Sequence, residues 1–221
     1  MVGNLKYDVK ARESWITEGL GPAINGRPVV VAGSTSSGEE NVILDAWHRV
    51  LASDPSPLLI LAPRHPERFP EVVRLINEHK LRSTGAQVLK LDEGNRLDDV
   101  QVLMLDTVGD LAATYGLSDV AFVGGSLVAK GGHNPLEPAQ FGVPVVMGPS
   151  FENFRDVVGK MQAADGIRIV QDKDELEAAL VVLLADREKA KKMGERGRRV
   201  FEEKQGATAR ALKALLELVK Q

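Results

Sequence analysis

The chain has 221 residues, enough to bury a sizeable core as one large domain or two small ones. Its 43% hydrophobic and 27% charged residues describe an ordinary soluble globular protein, and a net charge of −3 gives no electrostatic reason to expect nucleic acid as the main partner. With no cysteine there is no disulfide, cysteine metal site or thiol nucleophile, and no apolar run approaches the ~18–20 residues of a membrane span.

Nothing at the start reads as a basic-then-apolar signal sequence. Val2 to Asp8 reads as a loop or short strand leading into the domain, as easily a linker joint as a natural beginning. Val29 to Ala32 is a short apolar strand, and Gly33 to Gly38 turns it into a helix. There Ile43, Ala46, Trp47, Val50 and Leu51 keep the i, i+3, i+4, i+7, i+8 spacing of one buried face. Leu58 to Leu61 predicts the next strand, followed by a helix with Val72, Leu75, Ile76 and His79 on one side. Val88 to Leu91 and Val102 to Leu105 are strand candidates separated by the polar stretch Asp92 to Asp99. The turn Asp106 to Leu111 then opens a short helix ending near Gly116.

Val120 to Val123, a glycine-rich loop and Val143 to Val146 form the centre of the pattern. Pro135 is placed to start a helix and Asn134 to cap it, so the loop offers free amides and a helix dipole to an anion. Further on come a helix over Glu152 to Ala163, a strand over Ile167 to Val170 and an amphipathic helix through Leu176, Ala179, Leu180, Leu183 and Leu184. A charged helix from Arg187 to about Lys204 and a last one bearing Leu212, Leu215, Leu216 and Val219 finish the chain. Short apolar strands alternating with helices predict an α/β, Rossmann-like, doubly wound and mostly parallel sheet over 1–221, whose ligand lies beyond the carboxyl ends of the strands.

Each candidate site along that rim has two readings. Ser37-Gly38-Glu39-Glu40 has the spacing of a capping box, with Ser37 and Glu40 satisfying each other's turn, while the Gly33 to Ser37 loop could cradle a ligand. Arg64 and Arg68 flank His65, either to hold a phosphate or to pair with Glu67 and Glu71. Asp106 or Thr107 could cap a helix, or the backbone near Gly109 could meet a base edge. His133, Asn134 and Glu137 cluster at one helix start, where a carboxylate suits two ribose hydroxyls or simply complements the dipole. Neither the G-x-G-x-x-G dinucleotide fingerprint, a P-loop nor G-x-S-x-G occurs, and four histidines without paired spacing do not suggest a metal site.

Taken together, G-N-L-K-Y-D, S-T-S-S-G-E-E, P-R-H-P-E-R-F, D-T-V-G-D-L, D-V-A-F-V-G-G-S-L-V-A-K-G-G-H-N-P-L-E-P and G-P-S-F-E-N-F-R-D closely resemble, in that order, the C-terminal half of bacterial Kdo (3-deoxy-D-manno-octulosonic acid) transferases. The resemblance implies one half of the two-domain GT-B glycosyltransferase fold, binding the CMP-Kdo donor without metal or other cofactor. It implies that Pro63 and Arg64 contact CMP, with Arg64 at its phosphate, and that Val108, Gly109 and Asp110 line the pocket largely by backbone. Asn134, Pro135, Leu136 and Glu137 would hold the phosphate and ribose side, with Glu137 taking the ribose hydroxyls. Ser36, Asp110 and Ser150 stand where the family has His, Glu and His. The resemblance further implies that the acceptor site, the membrane-associating segment and the catalytic base belong to an N-terminal half absent here. This chain would then be a soluble donor domain, inactive alone, with the last helix, Thr208 to Lys220, against that other half. The complete enzyme would act on a lipid A precursor at the cytoplasmic face of the inner membrane, inverting the Kdo anomeric centre. The departing phosphate would be stabilised by Arg64 and the dipole ahead of Pro135. The alternatives are a UDP-sugar transferase or epimerase, and a non-catalytic nucleotide-binding module.

Overall fold

The computed structural model describes residues 16–91 and 97–219, with side chains described over 18–89 and 97–203. Val2 to Asp8 and most of the polar stretch after Leu91 lie outside them, as do the side chains of Leu212, Leu215, Leu216 and Val219. Seven strands form one sheet: β1 Val29–Thr35, β2 Leu58–Pro63, β3 Ser83–Gly85, β4 Val102–Met104, β5 Val120–Val123, β6 Val145–Met147 and β7 Ile167–Ile169. Their order is β3-β4-β2-β1-β5-β6-β7, and every pairing is parallel. From β1 the chain builds outward to one edge and then returns to β5 on the other side, so the order reverses between β1 and β5.

Both faces of the sheet are covered, which is why the central strands are continuous apolar runs. Successive side chains point to opposite faces, and the cores sort accordingly. Val30, Ala32, Leu59, Leu61 and Phe122 pack with Trp47 and Ile43 of helix α2, Glu39–Ser53, with Ile76 of α3, Phe69–Glu78, and with Leu180 of α8, Lys173–Ala185. Val29, Val31, Leu58 and Ile60 face Leu20, Ile24 of α1, Gly21–Ile24, and Tyr115. Val123, Val145 and Met147 join α7, Arg155–Ala163, in a third cluster with Val200 and Phe201. Those last two belong to α9, Arg187–Val219. This helix crosses so close to the loop before β6 that a Cβ on Gly194 would strike the Gly142 carbonyl, backbone against backbone.

The structure corrects the sequence reading at several places. Val88 to Leu91 is not a strand: it lies in helix α4, Ala86–Leu91, with Val88 exposed. The edge strand is Ser83–Gly85, held by its pairing to β4 rather than by apolar side chains. The charged helix after Arg187 and the last helix are one continuous helix, because nothing between Lys204 and Leu212 stops it: Gly206 alone is tolerated inside a helix. The Ser37–Glu40 capping box is absent too; a reach-back is made one residue earlier, from the Glu39 carboxylate to Ser36 N. α2 starts at Glu39 behind Gly38, which sits at φ 94° with no side-chain cap, and both glutamates turn inward to tertiary partners.

Candidate functional site

Those two glutamates build the rim. Glu39 is fully buried, and its carboxylate accepts four backbone N–H donors. Oε2 takes Ser36 N at 2.8 Å and Gly125 N at 2.6 Å; Oε1 takes Ser126 N at 2.9 Å and Leu127 N at 2.8 Å. The chain's own carboxylate thus fills the crevice between β1 and β5. The amides after Gly124 that the sequence offers to an external anion are already engaged. Glu40, equally buried, accepts a fork from Arg68 at 2.7 and 3.1 Å and a bond from Thr35 Oγ1 at 2.8 Å. Arg68 also reaches Glu71 at 3.2 Å, so the pairing reading holds for this arginine.

From Gly125 the loop is pinned onward. Gly132 N donates to Gly125 O, His133 N to Gly124 O and Gly131 N to Ser150 Oγ. Asn134 follows, its Oδ1 accepting Leu136 N at 3.1 Å and its amide hydrogen-bonding Glu137. Helix α6, Leu136–Ala139, is a single turn with Pro135 just before it. So short a helix has little dipole, and its first amide is already taken, so the expected anion stabilisation ahead of Pro135 is replaced by whatever the side chains supply.

A cavity of about 270 Å³ opens where the ends of β1, β2 and β4 meet Glu137. Pro63, Arg64, Val108, Gly109 and Glu137 line it, together with Ser34, Phe69, Leu105, Thr107, Leu111 and Ala112. The motifs around positions 63, 108 and 137, separated widely in sequence, therefore meet in one place. Asp110, Asn134, Pro135 and Leu136 do not line it: Leu136 is in the core, Asn134 supports Glu137, and the Asp110 carbonyl accepts from Thr114 N and Oγ1. Asp110 leads into α5, Leu111–Thr114, without a side-chain cap, and neither Asp106 nor Thr107 caps that helix, since it begins after both. Instead Asp106 Oδ1 accepts Gln87 N at 2.9 Å, tying α4 to the rim. Gly109 sits at φ 91°, the left-handed region a Cβ would strain.

Of the Gly33 to Ser37 loop, which the sequence offers as a ligand cradle, Ser34 is the residue that lines the cavity. It stands at a break in the β1–β2 register with φ 55°, a backbone position costly for a residue other than glycine and common beside ligand sites. Arg64 is exposed at the cavity wall, unlike the committed Arg68. Its charge falls on Glu137 and, with burial as the larger cause, helps to hold His133 below the usual histidine range. Glu137 moves the other way: burial raises its carboxyl, while Arg64 and Asn134 oppose the rise.

A group that holds its proton more tightly when folded stabilises the fold fully below the ordinary carboxylate range, and the contribution is lost as pH rises through its raised value. Glu137→Gln is therefore expected to flatten the decline in stability just above that range and to be at least as stable as the parent at neutral pH. Urea midpoints at a series of pH values measure this; an unchanged decline would assign it elsewhere.

Comparison with known proteins decides the family. Residues 82–200 match the family described as "Glycosyl transferases group 1". The chain belongs to this family of glycosyl transferases. Its sheet with covered faces matches one half of a GT-B glycosyltransferase. Among solved structures, this family member resembles the C-terminal CMP-Kdo binding domain of WaaA from Acinetobacter baumannii, at 33% identity and TM-score 0.75 over 84% of this chain and 93% of that one. Among curated relatives it is 38% identical over its whole length to the 3-deoxy-D-manno-octulosonic acid transferase of Haemophilus influenzae. It is 35% identical over 97% of its length to the enzyme of that name from Bordetella pertussis. The chain spans about half of each of these relatives, 51% and 50%. No helix among the described residues is long and apolar enough to cross a membrane.

Proposed function

We propose that this glycosyl transferase chain is the donor-binding half of a Kdo transferase, and that its rim cavity takes the CMP of CMP-Kdo. The observation that carries the reading is the coincidence of the cavity with the sequence motifs: Pro63-Arg64, Val108-Gly109 and Glu137 come from three separate loops and line one space. Arg64 is the cation placed to meet the CMP phosphate, and Glu137 is the carboxylate placed to accept from the ribose hydroxyls. Asn134 holds that carboxylate in place, and the buried Glu39 fixes the loop from which both hang. In the complete enzyme, displacement at the Kdo anomeric carbon proceeds with inversion as CMP departs, Arg64 neutralising the charge that grows on its phosphate. The base that deprotonates the acceptor's hydroxyl, the lipid A precursor itself and the contact with the cytoplasmic face of the inner membrane belong to residues outside this chain. The isolated chain would bind CMP and transfer nothing.

Calorimetric titration with CMP and with UDP, on the parent and on Arg64→Ala, tests this. Saturable CMP binding is expected, tighter than UDP, and weakened roughly ten- to a hundred-fold in the variant, the worth of one charge-assisted contact. Tighter binding of UDP, or an unchanged CMP affinity in Arg64→Ala, would overturn the assignment.

A further inference from the structure

We propose that Thr107 is a positioning residue for the donor, its hydroxyl hydrogen-bonding an uncharged polar atom of the nucleoside half rather than the phosphate. The inference rests on the nucleotide reading of the cavity and adds a contact to it. Among the described residues, Thr107 Oγ1 is the one buried side-chain polar atom with no hydrogen-bond partner. Three buried residues of its type are satisfied: Thr35 donates to Glu40, Thr114 to Asp110 O, and Ser126 to Val123 O while accepting from Gly148 N. A buried hydroxyl left bare lowers stability, so the orphan at Thr107 calls for a reason.

The position supplies one. Thr107 follows β4 at the carboxyl end of the sheet and lines the same cavity as Arg64 and Glu137. Behind it the loop is anchored by Asp106, whose carboxylate holds Gln87 N, so Thr107 is held at the wall by a group that does not use its hydroxyl. The charged work of the cavity falls to Arg64 and Glu137. Around Thr107 stand Leu105, Leu111, Ala112 and the exposed Val108, an apolar frame that suits a flat, uncharged base and its sugar. A hydroxyl both donates and accepts, and can serve either kind of polar atom there. The oxygen is buried without a partner, and a turn about χ1 from one staggered well to another is the small motion by which it would reach a ligand.

Three variants and two ligands test this: Thr107→Val, Thr107→Ser and Arg64→Ala, each titrated with CMP and with cytidine and each unfolded in urea. Thr107→Val keeps the shape and removes the orphan, so its urea midpoint is expected to equal or exceed the parent's. Its affinity should fall about five- to tenfold for CMP and by the same factor for cytidine. Thr107→Ser, which retains the hydroxyl, should stay within about twofold of the parent. Arg64→Ala should weaken CMP and leave cytidine unchanged. Equal binding by Thr107→Val and the parent would remove Thr107 from the site while leaving the nucleotide reading intact. A loss confined to CMP would place the hydroxyl on the phosphate and overturn the proposal. A lowered midpoint in Thr107→Val with unchanged affinities would give it a structural role only. If the parent itself binds neither CMP nor cytidine, the nucleotide reading falls and this inference with it.

Discussion

Glu39→Gln is expected to lose about 3–5 kcal/mol of folding stability, a large share of the roughly 5–15 kcal/mol a domain possesses. The magnitude follows from how the four donors are divided. Each carboxylate oxygen serves two backbone N–H groups, Ser36 and Gly125 on one side, Ser126 and Leu127 on the other. An amide in the same place has one oxygen and one NH₂ group. Whichever way it is turned, two donors face a donor. Hydrogen bonds to a charged acceptor are each worth about 1.5–3 kcal/mol, and an unmet buried donor adds its own desolvation cost. Glu39→Ala strips all four and should be worse. Denaturant midpoints measure both, and a loss below about 1 kcal/mol in Glu39→Gln would show that the loop finds other partners. CMP titration of whatever fraction folds should also weaken, because the same loop leads through Gly132 and Asn134 to Glu137.

The second large effect separates two arginines four positions apart. Arg68→Ala is expected to destabilise the fold by about 3–5 kcal/mol, the cost of leaving a buried carboxylate without its cation. Glu40 is fully buried and would keep only the Thr35 hydroxyl. Arg64→Ala should leave the urea midpoint within about 0.5 kcal/mol, the range of surface substitutions away from structural features, and act on ligand affinity alone. The comparison is made on the same pair of proteins with the same two measurements. If Arg68→Ala unfolds at the parent's midpoint, Glu40 is being neutralised in another way, by taking up a proton or by water.

Much of this architecture is legible before any coordinates. Val29 to Ala32, Leu58 to Leu61 and Val120 to Val123 announce a sheet covered on both sides because only such strands can be apolar at every position. Where burial is one-sided or absent, the signal fails. Val88 to Leu91 is too short an apolar run to distinguish helix from strand, and Ser83–Gly85 is a strand with nothing apolar to declare it. The rim divides in the same manner. Arg64 and Gly109 stand out at strand ends, where a parallel sheet puts its ligands, Glu137 at a helix start, and Pro63 and Val108 only through the family resemblance; all five line the cavity. The capping-box spacing points to Glu40 and says nothing of Glu39, whose one local bond is to Ser36 N. Its partners at Gly125, Ser126 and Leu127 lie more than 80 residues away, and no local pattern reports them. Ser34 and Thr107 are ordinary residues whose roles come from a left-handed backbone and an unmet hydroxyl, both properties of the folded chain.

Because helices press on both faces of the sheet, a residue of the inner strands β1, β2, β4, β5 and β6 has no side left from which to meet solvent. The end of each strand is the remaining frontier, and two populations of positions follow from it. Residues along a strand answer to shape, through neighbours above and below; residues one or two steps past its end answer to whatever enters the cavity. Exchanging the short stretch 107–109 can therefore alter what is recognised while Asp106 and Asp110 keep their bonds to Gln87 and Thr114, and a core substitution in β2 can soften the protein while leaving its ligand preference alone.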